Sequence, residues 1–154
     1  MRKSTKSNKQ SLRLRLKRSL LLRSKSKIEW QLAPDVKKRL SDLLSTCEIT
    51  WVKSSKIHCF RSINANTRAY ARIWGLNRVW QKALRETPAY VIEVIAEKYD
   101  RLSDIEKDKV LLHELTHIPK NFSGALMPHI RRGKRSFHDK VHQLIGDYLS
   151  KRQR

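Results

Sequence analysis

The fold class that the sequence predicts is α+β. Helix-period apolar spacing recurs toward both ends, short aromatic and β-branched segments lie between, and no segment repeats. With 154 residues, the chain can bury one core but not two.

Residues 1 to 27 hold eleven Lys or Arg and no acid, and the first carboxylate is Glu29. The leucines of "SLRLRLKRSLLLRSKSK" spread around a helical wheel instead of forming a stripe, so this stretch reads as a disordered polycationic arm over residues 1 to 28. An Arg- and Ser-rich targeting segment is the competing reading. A secretory signal is not expected, because no uninterrupted apolar stretch is present. One domain should then occupy residues 29 to 150.

Pro34 and Asp35 open a helix over 34 to 46, in which Val36, Leu40, Leu43 and Leu44 fall on one face. "KIHCFRS" (56 to 62) and "RAYARIWG" (68 to 75) read as strands. "NRVWQKAL" suits a helical turn or a strand. "AYVIEVI" (89 to 95) is almost continuously apolar, as a strand buried on both faces would be. Ser103 and Glu106 have the spacing of a capping box and Pro119 closes the segment, which predicts a helix over 104 to 118. A last helix carries Phe137, Val141, Leu144, Ile145 and Tyr148 on one stripe.

Lys and Arg outnumber Asp and Glu by 35 to 14, a formal charge of +21. Beyond residue 27 the balance is still 24 to 14. Such an excess attracts polyanions and makes nucleic acid a candidate partner of both arm and body. Two cysteines, Cys47 and Cys59, make no disulfide framework and suit a reducing, cytoplasmic setting. No apolar run approaches the roughly 18 residues of a membrane span. Oligomeric state is not legible.

The stretch "VLLHELTHIPKNFSGALMPHI" (110 to 130) carries the chemistry. His113 and His117, one helical turn apart, can direct both imidazoles at one Zn²⁺. Glu114 lies about 100° round the helix, within reach of a metal-activated water without being a ligand. The cation brings that water's pKa near neutrality, and the carboxylate takes the proton as the water attacks a carbonyl. H-E-x-x-H also occurs in helices that bind nothing. Here Val110, Leu111, Glu114, Leu115 and Ile118 continue the arc from the histidines, which puts the pair at the rim of a buried face. The upstream strand 89 to 95 is expected to align an extended peptide. For the third ligand, His129 beyond the glycine loop is the first choice; His138 and His142, themselves one turn apart, are the rivals.

"ARIWGLNRVWQKAL", "PAYVIEVIAEKYDRLS" and "VLLHELTHIPKNFSGALMPH" together resemble a family of H-E-x-x-H metallopeptidases of archaea, bacteria and phages, itself similar to SprT-like zinc proteases. The resemblance covers roughly residues 57 to 149. It implies a zincin-like domain with a short sheet, an active-site helix and a C-terminal helix. It also implies zinc on His113 and His117, Glu114 as base, and His129, from the P-H pair, as third ligand.

The expected function is zinc-dependent hydrolysis of a peptide or protein substrate, with nucleic-acid-associated proteins a candidate class. A zinc hydrolase acting on RNA and a non-catalytic nucleic-acid-binding protein are the alternatives. Cys59 reads as a core residue, as do Trp74 and Trp80 in preference to base-stacking platforms. Arg61, Tyr70, Tyr90 and Asn121 are conceivable substrate contacts with no spacing behind them.

Overall fold

A computed structural model describes residues 27–129 and 137–152. In chain order the elements are β1 (Glu29–Leu32), α1 (Pro34–Thr46), a 3₁₀ turn (Ser54–Lys56), β2 (Ile57–Ile63), β3 (Ala71–Gly75), α2 (Arg78–Leu84), β4 (Tyr90–Ile95), α3 (Ala96–Tyr99), α4 (Asp104–Thr116) and α5 (Phe137–Arg152). This is the expected α+β class. The arm expected over residues 1 to 28 lies, as far as residue 26, outside the described residues.

The four strands form one sheet in the order β1-β2-β4-β3. β4 runs parallel to β2 and antiparallel to β3, so both of its edges are consumed. That corrects the expectation that the strand at 89 to 95 aligns a peptide: an interior strand has no free backbone to offer, and the edge strands of the described sheet are β1 and β3. The expected strand over 68 to 75 begins only at Ala71, because Thr67 Oγ1 accepts from the Ala69 N–H at 3.3 Å and holds a local turn. "NRVWQKAL" resolves as helix α2, with the Asn77 side chain capping the Trp80 N–H.

Pairing register divides the sheet into two faces. Ile57, Cys59, Tyr90, Ile92, Val94, Ala71 and Ile73 share one, against which α1 and α4 pack; all but Ile73 are buried. α1 contributes Val36, Leu40, Leu43 and Leu44, and α4 contributes Leu111, Leu112 and Leu115. Cys59 is buried there, and burial pushes its thiol up to about 11, so it packs as a small apolar side chain. The other face carries Trp30, His58, Phe60, Arg72, Trp74 and Glu93. Trp74 and Trp80 are thus not core residues. Trp74 points away from the helices, and α2, which bears Trp80, buries none of its residues.

α4 begins with the expected capping box: Ser103 caps the Glu106 N–H and Glu106 returns to the Ser103 N–H at 2.9 Å. From its middle, buried Asp108 accepts from Arg39 of α1 at 2.7 Å and from Tyr148 and Arg152 of α5. One carboxylate therefore binds three helices together. Removing it strands a guanidinium and a phenol in a partly dry seam. Asp108→Ala should lower unfolding free energy by about 3 kcal/mol, the scale for one partner lost from a buried ion pair. Urea denaturation followed by circular dichroism measures it; a change below about 1 kcal/mol would show the network to be ornamental.

Candidate metal centre

α4 runs out at Thr116, two residues before the expected end, and His117 occupies its C-cap with a helical φ of −72°. The one-turn spacing therefore survives: the His113 and His117 rings lie 5.3 Å apart. His117 is buried and His113 half-buried at the rim of the core face.

The loop beyond is folded back onto this end of the helix by a reciprocal pair. The Met127 N–H donates to the His117 carbonyl at 2.7 Å, and His117 Nδ1 donates to the Met127 carbonyl at 2.6 Å. A carbonyl can only accept, so Nδ1 carries the proton and Nε2 keeps its lone pair free. A second set of contacts fixes the loop against the sheet. Tyr90 Oη accepts from the Gly124 N–H at 2.9 Å and donates to the Ala125 carbonyl at 3.0 Å, while Gln81 donates to the Ser123 carbonyl at 2.8 Å. Gly124 has φ +82°, and a Cβ there would collide with the Leu76 carbonyl; one on Gly75 would collide with the Gly124 carbonyl. The sequence requires glycine at both places because two backbones meet with no side chain between them.

Two residues after Met127 the chain delivers His129. Its Nε2 is 3.1 Å from His113 Nε2, and its ring is 4.5 Å from that of His117. One nitrogen from each of the three histidines falls within 4.8 Å of the others. A tetrahedral Zn²⁺ with nitrogens about 2.0–2.1 Å away holds them about 3.4 Å apart, so the observed spacing suits such an ion. Burial, followed by the charges of His117, His129 and His138, pushes His113 down to about 4; burial is also the main influence lowering His117. Both are neutral at pH 7, the form that binds metal without losing a proton. The donor set fits a borderline divalent cation.

His138 is not in this group. It faces His142 across one turn of α5, with their Nε2 atoms 2.8 Å apart. Glu114 is buried, and burial alone pushes its carboxyl up to about 7. No hydrogen bond holds it among the described residues. A carboxyl in that setting exchanges its proton near neutrality, as a general base must.

A cleft of about 810 Å³ lies over the three rings. It is lined by Ala71, Arg72 and Ile73 of β3, Val110 of α4, and Val141 and Ile145 of α5. Tyr70 reaches this cleft; the other three tempting residues do not line it. Arg61 is engaged by Asp35 and Asp100, Tyr90 holds the glycine loop, and Asn121 is exposed on the loop. Sequence reasoning missed Met127, whose contribution is a backbone carbonyl without a side-chain signature, and the wall formed by β3, which only strand pairing reveals.

The family model described as "Putative phage metallopeptidase" matches residues 28–146. The chain belongs to this phage metallopeptidase family. No curated protein and no solved structure matches. Membership makes the protein a metallopeptidase with a peptide or protein substrate, and a three-histidine group beside a cleft is compatible with it. Among the described residues, no helix is long and apolar enough to cross a membrane.

Two outcomes follow for this family member. Gly124→Ala forces a side chain into a left-handed backbone position against a neighbouring carbonyl, which costs about 1–3 kcal/mol. It should also loosen the loop that carries His129, weakening metal affinity about 10- to 100-fold; competition with a chromophoric chelator reads this directly. The second outcome concerns Glu114 in the metal-free protein. Its folded pKa is raised from 4.5 to about 7, so its contribution favours folding most below pH 4.5 and is lost as pH rises to 7. The loss reaches about 3 kcal/mol. The depressed histidines act in the opposite sense, favouring folding above their ordinary pKa and losing that as pH falls. The difference between parent and Glu114→Gln isolates the glutamate, since both contain the same histidines. Parallel stability–pH curves for the two would refute the assignment.

Proposed function

We propose that the protein is a zinc-dependent peptidase of the H-E-x-x-H type with a zincin-like, distantly SprT-like arrangement. In this reading zinc is held by His113, His117 and His129. The observation that carries it is the approach of three imidazole nitrogens to within 4.8 Å of one another beside the buried carboxyl of Glu114.

When bound, the cation supplies a Lewis acid that polarises the scissile carbonyl and acidifies water. The chain's own residues do the rest. Glu114 accepts the proton of the attacking water and returns it to the leaving amine, a cycle suited to a carboxyl that titrates near pH 7. The Met127 carbonyl keeps the His117 ring in one tautomer and orientation. β3, at the edge of the sheet and along the cleft wall, offers unpaired backbone to an extended peptide. Val110, Val141 and Ile145 give the cleft apolar lining against which a substrate side chain can pack.

The net charge of +21 supports action on proteins associated with nucleic acid, and two unpaired cysteines support a reducing cytoplasm. Glu114→Gln should lower kcat at least about 100-fold while stoichiometric zinc remains by elemental analysis. Casein hydrolysis in the parent should stop with a chelator and return with zinc. Cleavage of labelled RNA in place of casein would transfer the site to the ribonuclease reading, and full activity in the glutamine variant would end the mechanism.

A further inference from the structure

The sheet face turned away from the helices holds a second arrangement that the metal centre does not explain. Glu93, 2% exposed, lies in its middle on β4. Trp30 on β1 extends across β2 and donates its indole N–H to Glu93 Oε1 at 3.2 Å. Trp74 on β3 donates to Oε2 at 3.0 Å, and Arg72, directly opposite Glu93 in the register, donates to Oε1 at 2.8 Å. The Arg72 guanidinium also lies 5.5 Å over the Trp74 ring. Three donors thus converge on one carboxylate from both sides.

Burying a carboxylate costs several kcal/mol before its partners offset the loss. An apolar residue would fill the same space more cheaply. What the carboxylate adds is orientation, since an indole tethered through its N–H cannot rotate freely. Yet the rings themselves remain open, Trp30 at 57% and Trp74 at 53% exposed. Their one hydrogen-bonding group is used internally, so they offer a partner only a fixed π surface. Half-buried Phe60 and exposed His58 share the face.

We propose that this open sheet face binds single-stranded nucleic acid, with bases stacking on Trp30 and Trp74 and the phosphates drawn by the chain's basic excess. Charge selects among occupants. A second copy of this chain would bring +21 against +21, whereas a single strand brings both flat π systems and negative charge. A ring that offers stacking but no free donor binds without reading sequence. This gives the nucleic-acid half of the reading above a surface, and it does not depend on the metal centre.

The test uses the full chain and a fluorescein-labelled oligothymidylate of about 20 nucleotides, longer than one typical site. Replacing both indoles (Trp30→Ala with Trp74→Ala) should weaken binding at least about tenfold, with the slope of log affinity against log salt unchanged. Zinc content should match the parent, and casein hydrolysis is read on the unaltered protein, so this result and failure of the peptidase reading are separable. Titration of the unaltered protein, where no substitution can disturb folding, should quench its tryptophan fluorescence. Affinity within about twofold of the parent, below the loss expected from one stacked base, would overturn the proposal; so would binding without quenching. A double variant that alters self-association or capture of a protein, and leaves the oligonucleotide affinity unchanged, would assign the face to a protein instead.

Discussion

The contact between Gly75 and Gly124 is the constraint from which the metal centre follows. β3 ends at one glycine and the loop beyond α4 passes against it at the other, with no room for a Cβ on either. Without that approach Tyr90 could not bridge Gly124 and Ala125, and Met127 would have no fixed position from which to engage His117. His113 and His117 follow from helical periodicity alone. His129 does not: its place is an outcome of backbone packing between a strand and a loop.

Among the described residues three carboxylates are buried, and each is treated differently. Asp108 is matched by Arg39 and Arg152 and by the Tyr148 hydroxyl, and it fastens three helices. Glu93 is desolvated, yet its polar neighbours, the hydrogen bonds from Arg72 and Trp74 foremost and the Arg72 charge among them, together more than offset that and hold it below the usual glutamate range. Glu114 has neither cation nor donor among the described residues and is pushed up to about 7. Burial alone is common to all three. What differs is compensation, and only the uncompensated carboxylate is poised to gain and lose a proton at neutral pH.

Local signals were legible in the sequence. The helix over 34 to 46, the capping box at Ser103 and the spacing of His113, Glu114 and His117 all depend on residues within a few positions of one another, and each appears where the pattern put it. β1 was not legible, because the alternation in "EWQL" spans only four residues, all of them exposed, and the strand exists by pairing with β2. Nor was the role of β4, whose apolar run signals burial but not which edges are free. Trp74 and Trp80 fail for a related reason. Hydrophobicity alone places them inside, while a strand face that no helix among the described residues covers and a helix without a buried side leave them out. Each miss concerns a partner distant in sequence, which periodicity cannot see.

β3 shows how the two surfaces of the molecule are joined without being the same site. Side chains alternate along a strand, so Ala71, Ile73 and Gly75 face the helices and the glycine loop while Arg72 and Trp74 face the open side. Arg72 belongs to both surroundings: its guanidinium is fixed to Glu93, and it also borders the cleft over the histidines. As an edge strand, β3 is stiffened on one side by β4 and left unpaired on the other. The contacts that fasten its open-side residues to Glu93 therefore also steady the backbone along the cleft. A buried carboxylate that looks wasteful when the sheet face is considered alone helps hold straight the wall beside which a peptide would lie.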